Sequence, residues 1–256
     1  ALGFEHDQYP FLYPPPFAWA MQPLARLSYP RALQVWMLLG TAALFAALGM
    51  TLRLVRGLAA RLGVVDARLL WVLFAAFVPA TLNSTSVHND IRSGSVGILL
   101  FLCLVTALGA LLERRAVLGG VALAAAAVVK LVPLGLLPYV WWRASRRAAW
   151  VTLGALAFLG IASTLHFGLG IWGDWLHHAV LAPLGTPNGW AHNQSLDAFL
   201  LRLFVPAAVI AVPAQAPAAQ RVLSLALALL VAGATVGMLV QSARVRRASP
   251  LDAARL

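Results

Sequence analysis

Long apolar runs, most of them bounded by arginine, dominate the chain, and the first has about the 20 residues a helix needs to cross a bilayer. The first extends from about Ala32 to Leu52 and is followed by Arg53, Arg56 and Arg61. The second, from about Leu69 to Asn83, leads into the polar stretch NSTSVHNDIRSGS. The third, from about Val96 to Leu112, returns to Arg114 and Arg115. With arginine marking the cytoplasmic side, these three runs alternate inward, outward and inward. The next run, Gly119 to Trp142, breaks the alternation, because Arg115 precedes it and Arg143, Arg146 and Arg147 follow it. A single crossing violates the charge rule. Two short helices hinged near Lys130 to Pro133 satisfy it, and such broken segments are tolerated where protein or a cavity surrounds them.

A further span, about Ala149 to Leu165, leads outward into a long loop. The segment FLLRLFVPAAVIAVP, with Arg202 and two prolines, reads as an interfacial helix on the outer side. The last span, about Val222 to Val240, comes in to Arg244, Arg246 and Arg247. Near the start, Pro14 to Pro16 open a helix ending near Leu27, too short to cross, with Trp19 and the tyrosines at the outer interface. The prediction is an all-α polytopic transmembrane bundle with broken or re-entrant helices and outer interfacial helices, in one domain over 1–256.

Composition agrees: the 256 residues are 61% hydrophobic and 11% charged, whereas soluble domains carry about 25% charged residues. The net charge of +11 would point to nucleic acid in a soluble protein. Here the basic residues sit at the ends of apolar runs, so no nucleic-acid partner is expected, and the membrane lipids are the surroundings. Cys103 lies mid-span and reads as packing. The chain starts at Ala1 and ends after a basic stretch, and it is expected to be a piece of a longer protein.

Lys130 is the only lysine, and it lies inside an apolar run. A charge at bilayer depth costs roughly 2.5–3.5 kcal/mol on insertion scales, and an intramembrane ionisable residue points to function; the plainer account is a lysine that snorkels to the interface. A second group, His88, Asn89, Asp90 and Arg92, is expected to crowd the start of an inward helix, where free N–H groups favour a phosphate or carboxylate. Arg92 suits bidentate pairing with a phosphate, while Asp90 or Ser93 equally serves as a cap. A third group, His192, Asn193 and Gln194, offers donors and acceptors for sugar hydroxyls, or with Ser195 caps a helix. All six histidines fall on the predicted outer side, as acid–base chemistry facing outward requires. His177 and His178 are adjacent and on a helix do not point at one site. There is no HExxH, CxxC, Walker loop or GxGxxG; neither a metal nor a cofactor is expected.

The order YPFLYPPPFAWAMQPLARL, an outer loop opening a Gly-containing helix, VVKLVPLGLLPYVWWRASRR and then HNQSLDAFLLRL resembles glycosyltransferase family 87, the DUF2029 proteins of GT-C type, over nearly the whole chain. The resemblance implies a multi-spanning, inverting enzyme, and the Ala- and Arg-rich, Lys-poor composition suggests a bacterial plasma membrane. Such an enzyme moves a hexose, usually mannose, from a polyprenyl-phosphate donor to a glycolipid or glycan acceptor on the outer face. It implies that the family's acidic general base lies in a first outer loop upstream of Ala1, so the catalytic residue is not identified, and the N-terminal span and some C-terminal spans are expected to be missing. Glu5 and Asp7 do not match that base. HNDIRSGSVG departs from the Gly-Gln pair of many relatives. The substrate-binding candidates are Lys130 as phosphate ligand, Arg92 as second cation, Asp90, Tyr13, and His192, Asn193 and Gln194. Two rivals stand beside this reading: a lipid-linked sugar flippase, whose broken helices would look similar, and a non-catalytic membrane subunit of glycan assembly.

Overall fold

The computed structural model describes residues 13–62 and 67–181, and scattered helical positions between 222 and 237. They fall into two units, Phe11–Trp175 and a second that includes Leu176–Leu181 and those later positions. Apart from short connections the described residues are helical, without a strand among them.

Helix α1, Pro15–Ala25, begins with prolines in its first turn, where a missing N–H costs nothing. Helix α2, Tyr29–Leu62, has 34 residues, about 51 Å at 1.5 Å per residue. That exceeds a bilayer core of about 30 Å, so the helix carries Arg53 and Arg56 within its own length rather than stopping before them as the sequence predicts. Helix α3, Ala67–Leu82, returns alongside it, with Arg56 5.2 Å from the Trp71 ring centre. The polar stretch predicted as a loop contains a helix, α4, Thr85–Ser93, capped by the Ser84 hydroxyl accepting from the Val87 N–H. Val87 and Ile91, one turn apart, pack on the α2 core with Ile98.

Helix α5, Gly97–Leu112, runs parallel to α2. The register is fixed by Thr106 Oγ1 donating to Met50 Sδ at 3.4 Å and by an Arg53–Glu113 ion pair at 3.7 Å. Helix α6, Ala116–Val129, is the packing centre: nine of its residues are buried. Two adjacent glycines bring its neighbours close. Gly119 faces α5, where a Cβ would meet Leu111 Cδ2 at 2.9 Å; Gly120 faces helix α8, Arg146–Phe167, where a Cβ would meet the Ala148 carbonyl oxygen at 2.5 Å. Thr152, fully buried, donates to the Gly120 carbonyl at 3.0 Å. Alanine and glycine contribute little to insertion, yet here they allow three helices to approach.

Helix α6 ends as predicted, at Lys130. The chain then continues through a 3₁₀ turn, Val132–Leu136, a single α turn α7, Leu137–Tyr139, and a π turn, Val140–Ala144. Val140 packs with Ala122, Leu123, Ala148 and Ala149, so this broken segment descends beside α6 and brings Arg146 back to the end where α6 began. Helix α8 then climbs parallel to α6 and ends at Gly168. A short helix α9, Gly170–Trp175, follows. The predicted interfacial helix around Arg202 lies outside the described residues.

Candidate active-site end of the bundle

One end of the Phe11–Trp175 unit gathers arginine; the opposite end gathers most of the candidate chemistry. At the opposite end, Phe17, Val96, Val128 and Val129 form a buried cluster against which Tyr13, Met21, Trp36 and Leu100 pack. The Tyr13 and Phe17 rings lie 5.0 Å apart, centre to centre. Val128 and Val129 are the last residues before Lys130, so this cluster anchors the end of α6 that presents the lysine. Lys130 itself is exposed, with extended backbone (φ −148°, ψ 141°) where the helix stops. A cation at a helix C-terminus is favoured by the helix dipole. No carboxylate among the described residues pairs with it. Helix α6 is 14 residues long, which places Lys130 about 21 Å from the arginine end. That distance falls short of a full hydrocarbon core.

Asp90 differs from its predicted placement. Asn89, Asp90 and Arg92 lie within α4, past its first turn, and not at the start of the inward helix. Helix α4 closes on Gly94, whose left-handed φ of 65° suits glycine, and Trp36 Nε1 donates to the Gly94 carbonyl at 2.9 Å. The reversal folds the Asp90 side chain back onto Gly97, the first residue of α5. A Cβ on Gly97 would collide with that carboxylate, meeting Asp90 Cγ at 2.9 Å. The protein's own carboxylate therefore lies beside the first turn of α5. Ser84 caps α4, and Ser95 Oγ accepts from the Gly97 N–H at 3.4 Å.

Tyr13 stands close enough to Asp90 to feel its charge. Burial first, and Asp90 second, raise the phenol above its ordinary value of 10.0. It is therefore a proton-bearing donor throughout the neutral range. A groove of about 280 Å³ opens beside this pair, lined by Tyr13, Phe17, Met21, Trp36, Gly94 and Val96 among others. Its wall is apolar and aromatic, with Tyr13 and the Trp36–Gly94 bond at its polar edge. Further along, Gln22 of α1 hydrogen-bonds the His166 ring near the end of α8, fixing the short helix to the bundle.

The structure thus brings Tyr13 and Asp90 together and sets Lys130 at the end of α6, whose Val128 and Val129 pack with Tyr13. Arg92 lies on α4, two residues after Asp90. His192, Asn193 and Gln194 lie outside the described residues. The adjacent His177 and His178 were expected to diverge; in the π turn Leu176–Leu181 their rings meet edge to face, 4.8 Å between centres. Among the described residues no group of three or more His, Cys, Asp or Glu could hold a metal ion. Reading the sequence missed Trp36, which looks like one more apolar residue of a span, and the Gln22–His166 contact, 144 residues apart. The Ser84 cap followed by the Val87–Ile91 spacing was the available signal for α4.

Chemically, this end joins an apolar groove, a protonated phenol, a carboxylate and a cation. Residues 11–256 match the family model of glycosyltransferase family 87. No curated protein and no solved structure matches the chain.

Proposed function

The chain belongs to glycosyltransferase family 87, and from that premise we propose that this membrane glycosyltransferase takes mannose from a polyprenyl-phosphate donor. The acceptor is a glycolipid or glycan on the extracytoplasmic face of the bacterial plasma membrane. The observation that carries the reading is the position of Lys130: exposed, at a helix break in an apolar bundle, directly after the Val128–Val129 cluster on which Tyr13 packs.

A polyprenyl-phosphate sugar keeps its isoprenoid tail in the bilayer and its phosphate near the boundary. Transfer with inversion has the acceptor hydroxyl attack the anomeric carbon from the side opposite the phosphate. As the C–O bond breaks, negative charge grows on the departing phosphate, and a preorganised cation there lowers the barrier. Lys130 supplies that charge, reached from within the membrane, with Arg92 as the second cation. Tyr13 donates to a phosphate or sugar oxygen, and Asp90 accepts from a sugar hydroxyl. His192, Asn193 and Gln194 complete the sugar contacts.

The test is transfer of radiolabel from polyprenyl-phosphate mannose to host lipid extract by the full-length protein in proteoliposomes. Labelled glycolipid or glycan that is lost in Lys130→Ala, with the variant still inserted, supports the assignment. Donor that moves between leaflets without any transfer would overturn it in favour of a flippase.

A further inference from the structure

The arginine end of the bundle carries a site of its own. The three-residue link Glu113–Arg115 joins α5 to α6, and Arg114 adopts a left-handed φ of 59°, a region a non-glycine residue enters at a cost. The turn puts Arg114 and Arg115 side by side, and the return through the broken segment brings Arg147 to them from α8. Together with Val117, Leu118 and Val121 they line a groove of about 540 Å³. Glu113 holds Arg115 at 3.1 Å and Arg53 at 3.7 Å, which offsets part of the charge and orients the Arg115 guanidinium. Exposed apolar side chains, Val117, Leu118 and Val121, continue from the arginines up the flank of α6. Trp142 and Trp150, both exposed at 67% and 63%, stand at the same end, as interfacial tryptophans do.

We propose that this groove binds an anionic phospholipid of the leaflet at the arginine end, its phosphodiester among Arg114, Arg115 and Arg147 and its first acyl methylenes along Val117, Leu118 and Val121. The juxtaposition selects the occupant. A soluble phosphate needs the arginines alone and leaves the apolar wall wet, whereas a zwitterionic lipid brings its own cation against three guanidiniums. An anionic lipid satisfies both halves, and basic pockets between membrane helices are suited to such headgroups. The site is separate from the proposed donor site, at the other end of α6, and does not depend on what the enzyme transfers.

The test uses the full-length protein in neutral detergent, with thermal unfolding and native mass spectrometry against added phosphatidylglycerol, phosphatidylcholine or inorganic phosphate. The expected result is retention and a raised Tm with phosphatidylglycerol only. Arg115→Gln with Arg147→Gln should weaken that retention roughly tenfold or more, from the worth of two guanidiniums near a membrane surface. Arg147→Lys, which keeps the charge but loses the planar fork, should fall between. Arg26→Gln, outside the groove, should bind as the parent does. Should the double variant not fold in detergent, the Arg147→Lys and parent comparison decides. Equal stabilisation by phosphatidylcholine, or by inorganic phosphate at the same concentration, would overturn the proposal. So would undiminished phosphatidylglycerol binding in the double variant.

Discussion

Lys130 and Tyr13 make predictions of opposite kinds. Lys130→Ala should lower transfer on the order of 10²–10³-fold, as loss of one preorganised donor to a developing oxyanion does. Insertion should be retained, since the substitution removes an intramembrane charge. Lys130→Arg should recover part of the rate, because the charge stays while the donor geometry changes. Transfer at the parent rate by Lys130→Ala would remove the lysine from the mechanism. For Tyr13 the measurement is a titration. The folded phenol is raised above 10.0 by burial and then by Asp90, so the neutral form is the one the fold favours. Its contribution to stability is fully present below pH 10 and is lost as pH rises through the folded value. The absorbance difference at 295 nm between the parent and Tyr13→Phe should therefore show a midpoint above 10. Asp90→Asn should lower that midpoint without restoring 10, since burial is the larger cause. A Tyr13 midpoint at or below 10 would contradict the geometry.

At the scale of elements, α6 decides where Lys130 stands. Gly120→Ala places a methyl 2.5 Å from the Ala148 carbonyl oxygen and 2.7 Å from Val151 Cβ, atoms of another helix that cannot swing aside. Overpacking of this kind costs about 1–3 kcal/mol, and the separation also stretches the Thr152 bond to the Gly120 carbonyl. Unfolding in detergent should show the loss, whereas Gly49→Ala, with open space around it, should not. The break at Lys130 was legible in the sequence because arginine at both ends of one apolar run admits no single crossing. The helices at 67–82, 97–112 and 146–167 were legible for the ordinary reason that apolar runs are bounded by polar or charged residues. The helix Thr85–Ser93 was not, because its signal is one serine cap and one Val–Ile pair within a polar stretch. The Asp90 contact with Gly97 was hidden for a different reason: it depends on the left-handed turn at Gly94, and sequence adjacency had placed Asp90 at the wrong helix. Nor did the run of alanines in α6 reveal its role. Hydropathy counts alanine as nearly neutral, while packing needs its small size.

For the molecule as a whole, the two ends of the bundle predict sidedness. Arg53, Glu113, Arg115 and Arg147 converge at one end, while Tyr13, Trp36, Gly94, Gln22 and His166 lie at the other. If arginine marks the cytoplasm, Asn83, just past the end of α3, faces outward. Ala144, at the end of the broken segment and exposed, then faces the cytoplasm. The two positions test the central topological feature directly. Had the run from Ala116 to Trp142 crossed once, Ala144 would share a side with Asn83, because Arg115 lies opposite Asn83 across α5. With the break at Lys130 the segment goes out and comes back, and the two sides differ. Single cysteines at these positions, in a Cys103→Ser background, can be challenged with a membrane-impermeant maleimide. Asn83→Cys should label in intact cells; Ala144→Cys should label only after permeabilisation. Labelling of both from outside would mean a single crossing, and Lys130 would then be a charge in the middle of a span with no helix end to hold it. The reverse pattern would keep the hairpin but turn the enzyme over, placing the Tyr13–Asp90–Lys130 end in the cytoplasm and removing the case for an extracytoplasmic acceptor.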